Sequence, residues 1–337
     1  MDQIPDESVA LVITSPPYPM IEMWDESFSQ QNRRIRRALD QHDGMLAFNL
    51  MHEELSKVWQ EAVRILLPGG ILCINIGDAT RTINRQFQLF PSHAKIISIC
   101  LELGLQALPE ILWRKQTNSP NKFMGSGMLP PGAYVTLEHE FILIFRKGNK
   151  REFKTEDLKQ NRRESAYFWE ERNVWFSDVW DFKGTGQKFE KKNSFNHSKT
   201  RARSGAFPFE LAYRLISMFS VIGDTVVDPF LGTGTTTLAT MVAGRNSIGF
   251  EIESPLKEII HDKIHQVVPF AKSYLNSRLD RHRKFITQRT EIKGPSKYTN
   301  AYFQCPVITG QEQKLTIRHV SHLKTLSETE FEIEYTP

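Results

Sequence analysis

Cysteine is scarce in this chain of 337 residues: Cys73, Cys100 and Cys305 stand alone. Their isolation excludes a disulfide framework and the ligand spacing of a structural zinc, and the apolar runs around the first two predict buried thiols. Long hydrophobic runs are lacking too. No stretch of about 18 apolar residues occurs, so no membrane span is expected. The first residues show no basic-then-apolar signal pattern, and a cytoplasmic protein is expected. Net charge is small, +4, while the apolar fraction of 40% suffices for a packed core. The length allows one large α/β domain with an insertion, or two domains.

What is present centres on Asp228-Pro-Phe-Leu-Gly-Thr-Gly-Thr-Thr236. The β-branched run Thr225-Val-Val precedes it, and Thr237 to Val242 reads as a helix stopped at Ala243-Gly244. This is strand, glycine loop, helix. Gly232 and Gly234 remove the Cβ atoms that would keep a ligand off the backbone. The helix N-terminus behind them offers free N–H groups and a positive dipole end. The loop lacks the Gly-Lys-Ser/Thr ending of a phosphate loop. It also lacks the third glycine of the dinucleotide fingerprint, which weakens a nicotinamide oxidoreductase reading. Taken alone it could be a tight turn with no ligand. Ser247-Ile-Gly-Phe-Glu251 reads as the next strand, with an acid at its tip, where doubly wound sheets hold ribose hydroxyls.

Earlier in the chain, Ser8 to Thr14 is a buried-type strand running into Ser15-Pro-Pro-Tyr-Pro19. The prolines end the strand and stiffen the turn. A polar side chain and an aromatic ring on so rigid a turn suit a clamp for a flat, amino-bearing ligand, or else make an ordinary turn. Leu50 to Leu67 carries apolar residues at helical spacing, Pro68-Gly-Gly70 is expected to stop it, and Ile71 to Ile76 is another strand. Ser92 to Leu103 reads as a helix. Glu110 to Lys115 and Glu138 to Arg146 read as a hairpin at the sheet edge, joined by a Pro- and Gly-rich loop or lid, Ser119 to Gly132. The alternation predicts a doubly wound, mostly parallel α/β sheet.

Charge is unevenly distributed. Between Arg146 and Arg203 there are 16 Lys and Arg against 9 Asp and Glu, which suggests a polyanionic partner. Tyr167, Phe168, Trp169, Trp175, Phe176, Trp180 and Phe182 are interleaved with these charges. Such rings either stack on bases or form the small core of an inserted subdomain, and for most of them the core is preferred. Trp24 to Phe48, with Arg33-Arg-Ile-Arg-Arg37, is either a lid over the site or a solvated helix. Beyond Glu253 the pattern is helical, with Pro269 as an interruption. Two late strand-like pieces follow, Lys314 to Val320 and Phe331 to Tyr335, one of which is expected to complete the parallel sheet.

Ser15-Pro-Pro-Tyr18 resembles the catalytic motif of DNA amino-methyltransferases, and Asp228 to Thr236 resembles their S-adenosyl-L-methionine motif. The order, catalytic motif first, is similar to the beta group of that family. The resemblance covers roughly Ile4 to Glu253. It implies a Rossmann-like S-adenosylmethionine-dependent methyltransferase fold. Residues 1–146 would be the catalytic half, 147–203 an inserted target-recognition region, 204–255 the cofactor-binding half, and 256–337 an extension. It implies that Ser15, Pro16, Pro17 and Tyr18 serve catalysis. Asp228, Pro229, Phe230, Gly232, Gly234 and Thr235 would line the cofactor, Glu251 would take its ribose hydroxyls, and Phe207 would flank it or remain a core residue. The hairpin would help wall the base pocket. Double-stranded DNA is the implied partner. A cognate restriction endonuclease and a homodimer are both compatible with the resemblance, and neither is specified by the sequence. No metal and no covalent nucleophile are implied, because no cysteine follows a proline as in carbon-5 cytosine enzymes. A motif opening with Ser points to cytosine N4, with adenine N6 as the alternative. The reading from another class is a silent nucleic-acid-binding module of the same fold.

Overall fold

The computed structural model describes residues 1–115, 124–184 and 207–336. Seven strands form its main sheet: β1 (Val9–Thr14), β2 (Leu66–Ile76), β3 (Leu105–Arg114), β4 (His139–Lys147), β5 (Val179–Asp181), β6 (Thr225–Asp228) and β7 (Asn246–Gly249). Their order is β7-β6-β1-β2-β4-β3-β5. β4 runs antiparallel to β2 and β3, and the other neighbours are parallel. The β3–β4 hairpin lies toward one edge as expected, with the three residues of β5 added outside it.

Apolar strands buried on both faces need helices on both sides. α1 (Gly44–Ile65) and α2 (Ser92–Glu102) cover one face through Leu55, Trp59, Ile96 and Cys100, against Val12, Leu72 and Ile74. α3 (Phe209–Phe219), α4 (Thr235–Val242), α5 (Leu256–His265) and α6 (Val267–Lys293) cover the other through Leu211, Leu238, Ile264 and Leu275, against Leu11, Ile13 and Cys73. From β1 the chain crosses to β2 on one side, and from β6 it crosses to β7 on the other. The adjacent strands β1 and β6 therefore mark the switch point, where such sheets open a crevice at their carboxyl ends. All three cysteines are buried and free. Among the described residues no helix is long and apolar enough to cross a membrane.

Several expectations are corrected. Pro68-Gly69-Gly70 lies inside β2, because α1 already ends at Ile65 and Leu66 is extended (φ −65°, ψ 129°). Gly69 has φ +85°, and a Cβ there would lie 2.4 Å from the Arg151 nitrogen, so the glycine admits a passing chain. The last two strand pieces do not join the parallel sheet. His319–Thr325 and Phe331–Thr336 pair with each other in a separate antiparallel hairpin. The alternation of apolar and polar residues along Phe331–Thr336 suits a one-sided ribbon, whereas a parallel strand would need two apolar faces. Pro269 falls in the first turn of α6, where its missing N–H has no partner to lose. Trp24 to Phe48 is largely helical, with helices Asp25–Gln31 and Arg33–Asp40 before α1, and Arg81 grips Asp25 with two hydrogen bonds.

The basic segment is anchored at the amino ends of the parallel strands. Arg151 pairs with Asp224 at 2.6 Å, and Asn161 donates to the Ile222 carbonyl. Phe168, Trp175 and Trp180 are core residues, while Trp169 and Phe176 are exposed. The rest of the segment, 185–206, and 116–123 of the Pro- and Gly-rich stretch lie outside the described residues. Buried Arg278 of α6 reaches both carboxylate oxygens of Glu171, at 2.6 and 2.7 Å, and the Tyr213 hydroxyl at 3.0 Å. One guanidinium thus ties the insertion to the domain and its extension. Arg278→Met strands the Glu171 carboxylate among apolar rings, and unfolding in urea is expected to show a loss of about 3–5 kcal/mol.

Candidate active site

Thr14 and Asp228 end β1 and β6. They are 214 residues apart in the chain, yet the Thr14 hydroxyl donates to Asp228 Oδ1 at 2.7 Å. Register explains the meeting, since Leu11 and Val12 lie beside Val226 and Val227 in parallel strands. Everything after Thr14 and after Asp228 must then leave from one place. Asp228 also accepts from the Thr236 hydroxyl (2.5 Å) and the Phe230 N–H (3.0 Å). Burial pushes its pKa up to about 6. The Thr236, Thr14 and Phe230 hydrogen bonds pull the other way, and the Glu251 charge adds to the rise.

Gly232 (φ +55°) and Gly234 (φ +76°) hold left-handed conformations that a side chain would strain. Gly234 packs under Ile260, where a Cβ would come within 3.3 Å. At Gly232 a Cβ would meet nothing nearer than 3.9 Å, so that side of the loop is open. The Gly232 N–H donates to Glu251 Oε2 at 2.7 Å, and the Glu253 N–H donates to Oε1 at 2.7 Å. Each carboxylate oxygen is held from the protein side by one backbone donor and retains lone-pair capacity. Thr235 opens α4, and its hydroxyl accepts from Lys263 Nζ at 3.2 Å. Burial lowers the Lys263 pKa to about 8. Pro229 and Phe230 are half-buried, and the Phe230 ring meets Trp59 edge-on at 6.3 Å. Phe207 is buried in the cluster beneath α3 and α4.

Ser15 and Pro16 continue directly from Thr14, with Pro16 buried and Ser15, Pro17 and Tyr18 half-buried. The Ser15 hydroxyl donates to the Tyr18 oxygen at 3.2 Å. Asn75 Nδ2 donates to that same oxygen at 2.9 Å and to Glu140 Oε2 at 2.7 Å. Glu140 in turn is paired with Lys115. The Tyr18 ring lies against Gly77, whose absent Cβ would sit 3.0 Å from it. Burial, and then the Glu140 charge, hold the Tyr18 phenol well above its usual range. Close by in the chain, Asp78 accepts from the backbone and the ring of His93.

The crevice thus brings Ser15 to Tyr18 and the Asp228 loop to neighbouring strand ends. Asn75, Lys115 and Glu140 were missed by sequence reasoning. The available signal was a polar residue at a buried position of an apolar run: Asn75 within Ile71 to Ile76, and Glu140 before Phe141 to Phe145. Chemically, the site offers hydroxyl and carbonyl acceptors on one wall. The other wall carries an open glycine loop with an acid at its side.

Comparison with known proteins bears on what this arrangement serves. A sequence model of the N6/N4 family described as DNA methylase matches residues 9–262. The Type II methyltransferase M.MthZI of Methanothermobacter thermautotrophicus is 50% identical over 337 residues, covering 99% of this chain and 92% of that protein. M.MjaI of Methanocaldococcus jannaschii, also a Type II methyltransferase, is 53% identical over 275 residues, 78% of this chain and 88% of its own length. A Thermus thermophilus structure, described as a candidate DNA modification methylase complexed with S-adenosyl-L-methionine, is similar with a TM-score of 0.59. It is 31% identical and covers 80% of this chain and 91% of that one.

Thr14→Val keeps the shape of β1 and removes one donor from the Asp228 carboxylate. The Asp228 pKa is expected to move above about 6, with a stability loss of about 1–3 kcal/mol. Carboxyl titration by NMR together with chemical unfolding reads both; an unmoved pKa would contradict the role given to this hydrogen bond.

Proposed function

The chain belongs to the N6/N4 family of DNA amino-methyltransferases, and from that membership we propose that it methylates the N4 amino group of a cytosine flipped out of duplex DNA. It is a site-specific, S-adenosyl-L-methionine-dependent enzyme of the restriction-modification type. The choice of cytosine over adenine N6 rests on Ser15 at the head of the motif. The choice of site rests on one observation, the Thr14–Asp228 hydrogen bond that sets the Ser15 turn beside the glycine loop.

The residues fit the cofactor. Gly232 leaves its side of the loop open, and each Glu251 oxygen keeps capacity to accept a ribose hydroxyl. Asp228, Pro229, Phe230, Gly234 and Thr235 would hold the methionine part, and Phe207 would flank the ligand from the core. When bound, the cofactor supplies a methyl group made electrophilic by its sulfonium.

The chain's own residues must make the target nitrogen nucleophilic. An exocyclic amino group shares its lone pair with the ring and attacks poorly. Ser15 Oγ and the Pro16 carbonyl accept hydrogen bonds from its two hydrogens, draw the nitrogen toward a pyramidal geometry, and free that lone pair. Tyr18 stacks on the base, and Pro17 stiffens the turn that carries all three. Most of the rate would come from positioning and from dipoles already in place. Extruding the base costs a few kcal/mol, which phosphate contacts from the basic segment would offset.

Digestion of modified duplex followed by mass spectrometry tests the base: N4-methylcytosine is expected, and N6-methyladenine would overturn the assignment. Ser15→Ala is expected to lower kcat about 10²–10³-fold with cofactor affinity unchanged. A parallel loss of cofactor binding would refute the acceptor role.

The raised Asp228 pKa gives a pH dependence with a definite sign. A cationic methionine moiety favours the ionised carboxylate, so binding releases a proton wherever the free enzyme is protonated at Asp228. Cofactor affinity is therefore expected to strengthen as pH rises through about 6 and to level off above it. Calorimetry should show this for the native enzyme and a flat profile for Asp228→Asn.

A further inference from the structure

We propose that Glu140 is a positioning residue for methyl transfer, fixing through Asn75 and Tyr18 the direction in which the Ser15 hydroxyl hydrogen points. The inference rests on the reading of Ser15 as an acceptor and deepens it. The starting point is a difficulty with a lone serine. A hydroxyl is both donor and acceptor and its rotor is free, so an unrestrained Ser15 would spend time pointing its hydrogen at the amino group it is meant to receive.

A chain of obligatory directions removes that freedom. Glu140 is ion-paired with Lys115, and a carboxylate can only accept. Asn75 Nδ2 lies 2.7 Å from Glu140 Oε2 and 2.9 Å from the Tyr18 oxygen. Rotating the amide would set its carbonyl against the Glu140 oxygen, so Glu140 dictates that Asn75 presents its NH2 group. The choice leaves Asn75 Oδ1 buried with no hydrogen-bond partner among the described residues. The Tyr18 oxygen then accepts from Asn75 and from Ser15, at 2.9 and 3.2 Å. Its own hydrogen is thereby turned away from both of these donors. With its hydrogen committed to Tyr18, Ser15 keeps lone pairs for the substrate.

The cross-strand register makes this chain possible. Asn75 on β2 lies opposite Ile142 on β4, and Glu140 is two residues along the same face. Asn75 and Glu140 are buried, and Lys115 follows the last residue of β3. Two oppositely running strands therefore bring the carboxylate to the back of the tyrosine, while β1 brings the serine to its front.

The test is a double-mutant cycle on the full-length enzyme, with S-adenosyl-L-methionine and duplex DNA carrying its recognition site. Glu140→Gln can donate where the native residue cannot, so Asn75 and then Tyr18 lose their fixed directions. The expected result is a fall in kcat of about 10- to 100-fold, with KM for both substrates and the melting temperature little changed. Tyr18→Phe cuts the chain at its middle, so Glu140→Gln added to it is expected to bring no further loss. A kcat for Glu140→Gln within about twofold of the native enzyme, or losses that multiply in the double variant, would overturn the proposal. Should Glu140→Gln fail to fold, Lys115→Met takes its place in the cycle, because it removes the ion pair that holds the Glu140 carboxylate in position. Ser15→Ala separates the two levels. If it spares kcat, the acceptor reading itself falls; if it abolishes kcat while Glu140→Gln is inert, only the part given to Glu140 falls.

Discussion

One hydrogen bond between strand ends, from the Thr14 hydroxyl to the Asp228 carboxylate, is the constraint on which the rest of the molecule turns. Parallel neighbours whose following helices pack on opposite faces must diverge above their last residues, and the space they leave is the crevice. The bond fixes how far β1 and β6 have run when they part. It is made in a dry place, and the carboxyl rises to a pKa of about 6 despite three donors. Such a group is poised to change its charge with what binds beside it, which is why perturbed carboxyls gather at sites that do chemistry.

The elements around that crevice were legible in the sequence because their signals are local. The β-branched runs ending at Thr14 and Val227 alternate with amphipathic stretches, and a glycine or proline turn marks each junction. Two motifs pointed to the ends of β1 and β6, which the structure sets side by side. The Glu251 tip followed from the strand after the glycine loop. What escaped notice depends on who faces whom across the sheet. Nothing near Asn75 announces that Glu140 will lie diagonally opposite on an antiparallel neighbour. Pro68-Gly-Gly70 reads as a stop by local rules. It lies within β2 instead, and Arg151, far along the chain, crosses above Gly69. The terminal strands show the same limit: β-propensity marks a strand and does not say which partner it will take.

The insertion divides into parts that its composition alone could not separate. Its charges suggested one nucleic-acid surface, whereas its first half is spent on anchorage. Arg151 pairs with Asp224, and Asn161 and Ser165 bond the turn at Ile222. Phe168, Trp175 and Trp180 fill a core beside Arg278. β5 then runs parallel to β3, so the described part of the insertion ends, at Gly184, on the side of the sheet where the crevice opens. A segment that ends beside the crevice is held there by something rigid. The buried rings and the Arg278–Glu171 pair supply that rigidity, and the C-terminal helix contributes the arginine.

Polarity of hydrogen bonding unites the two walls of the crevice. Around the glycine loop, backbone N–H groups point at Glu251 and leave its carboxylate oxygens with lone-pair capacity. On the Ser15 side, a charged pair behind Tyr18 turns every intervening group so that the front presents acceptors. An amine must be approached by acceptors, because a donor would compete for the lone pair that has to attack. Water could supply acceptors too, but it would reorient as the nitrogen changed charge. Groups held by strands and by an ion pair have already made that adjustment during folding. The Asn75 carbonyl, which has no partner among the described residues, faces away from this line of bonds while its NH2 group serves both the carboxylate and the phenol.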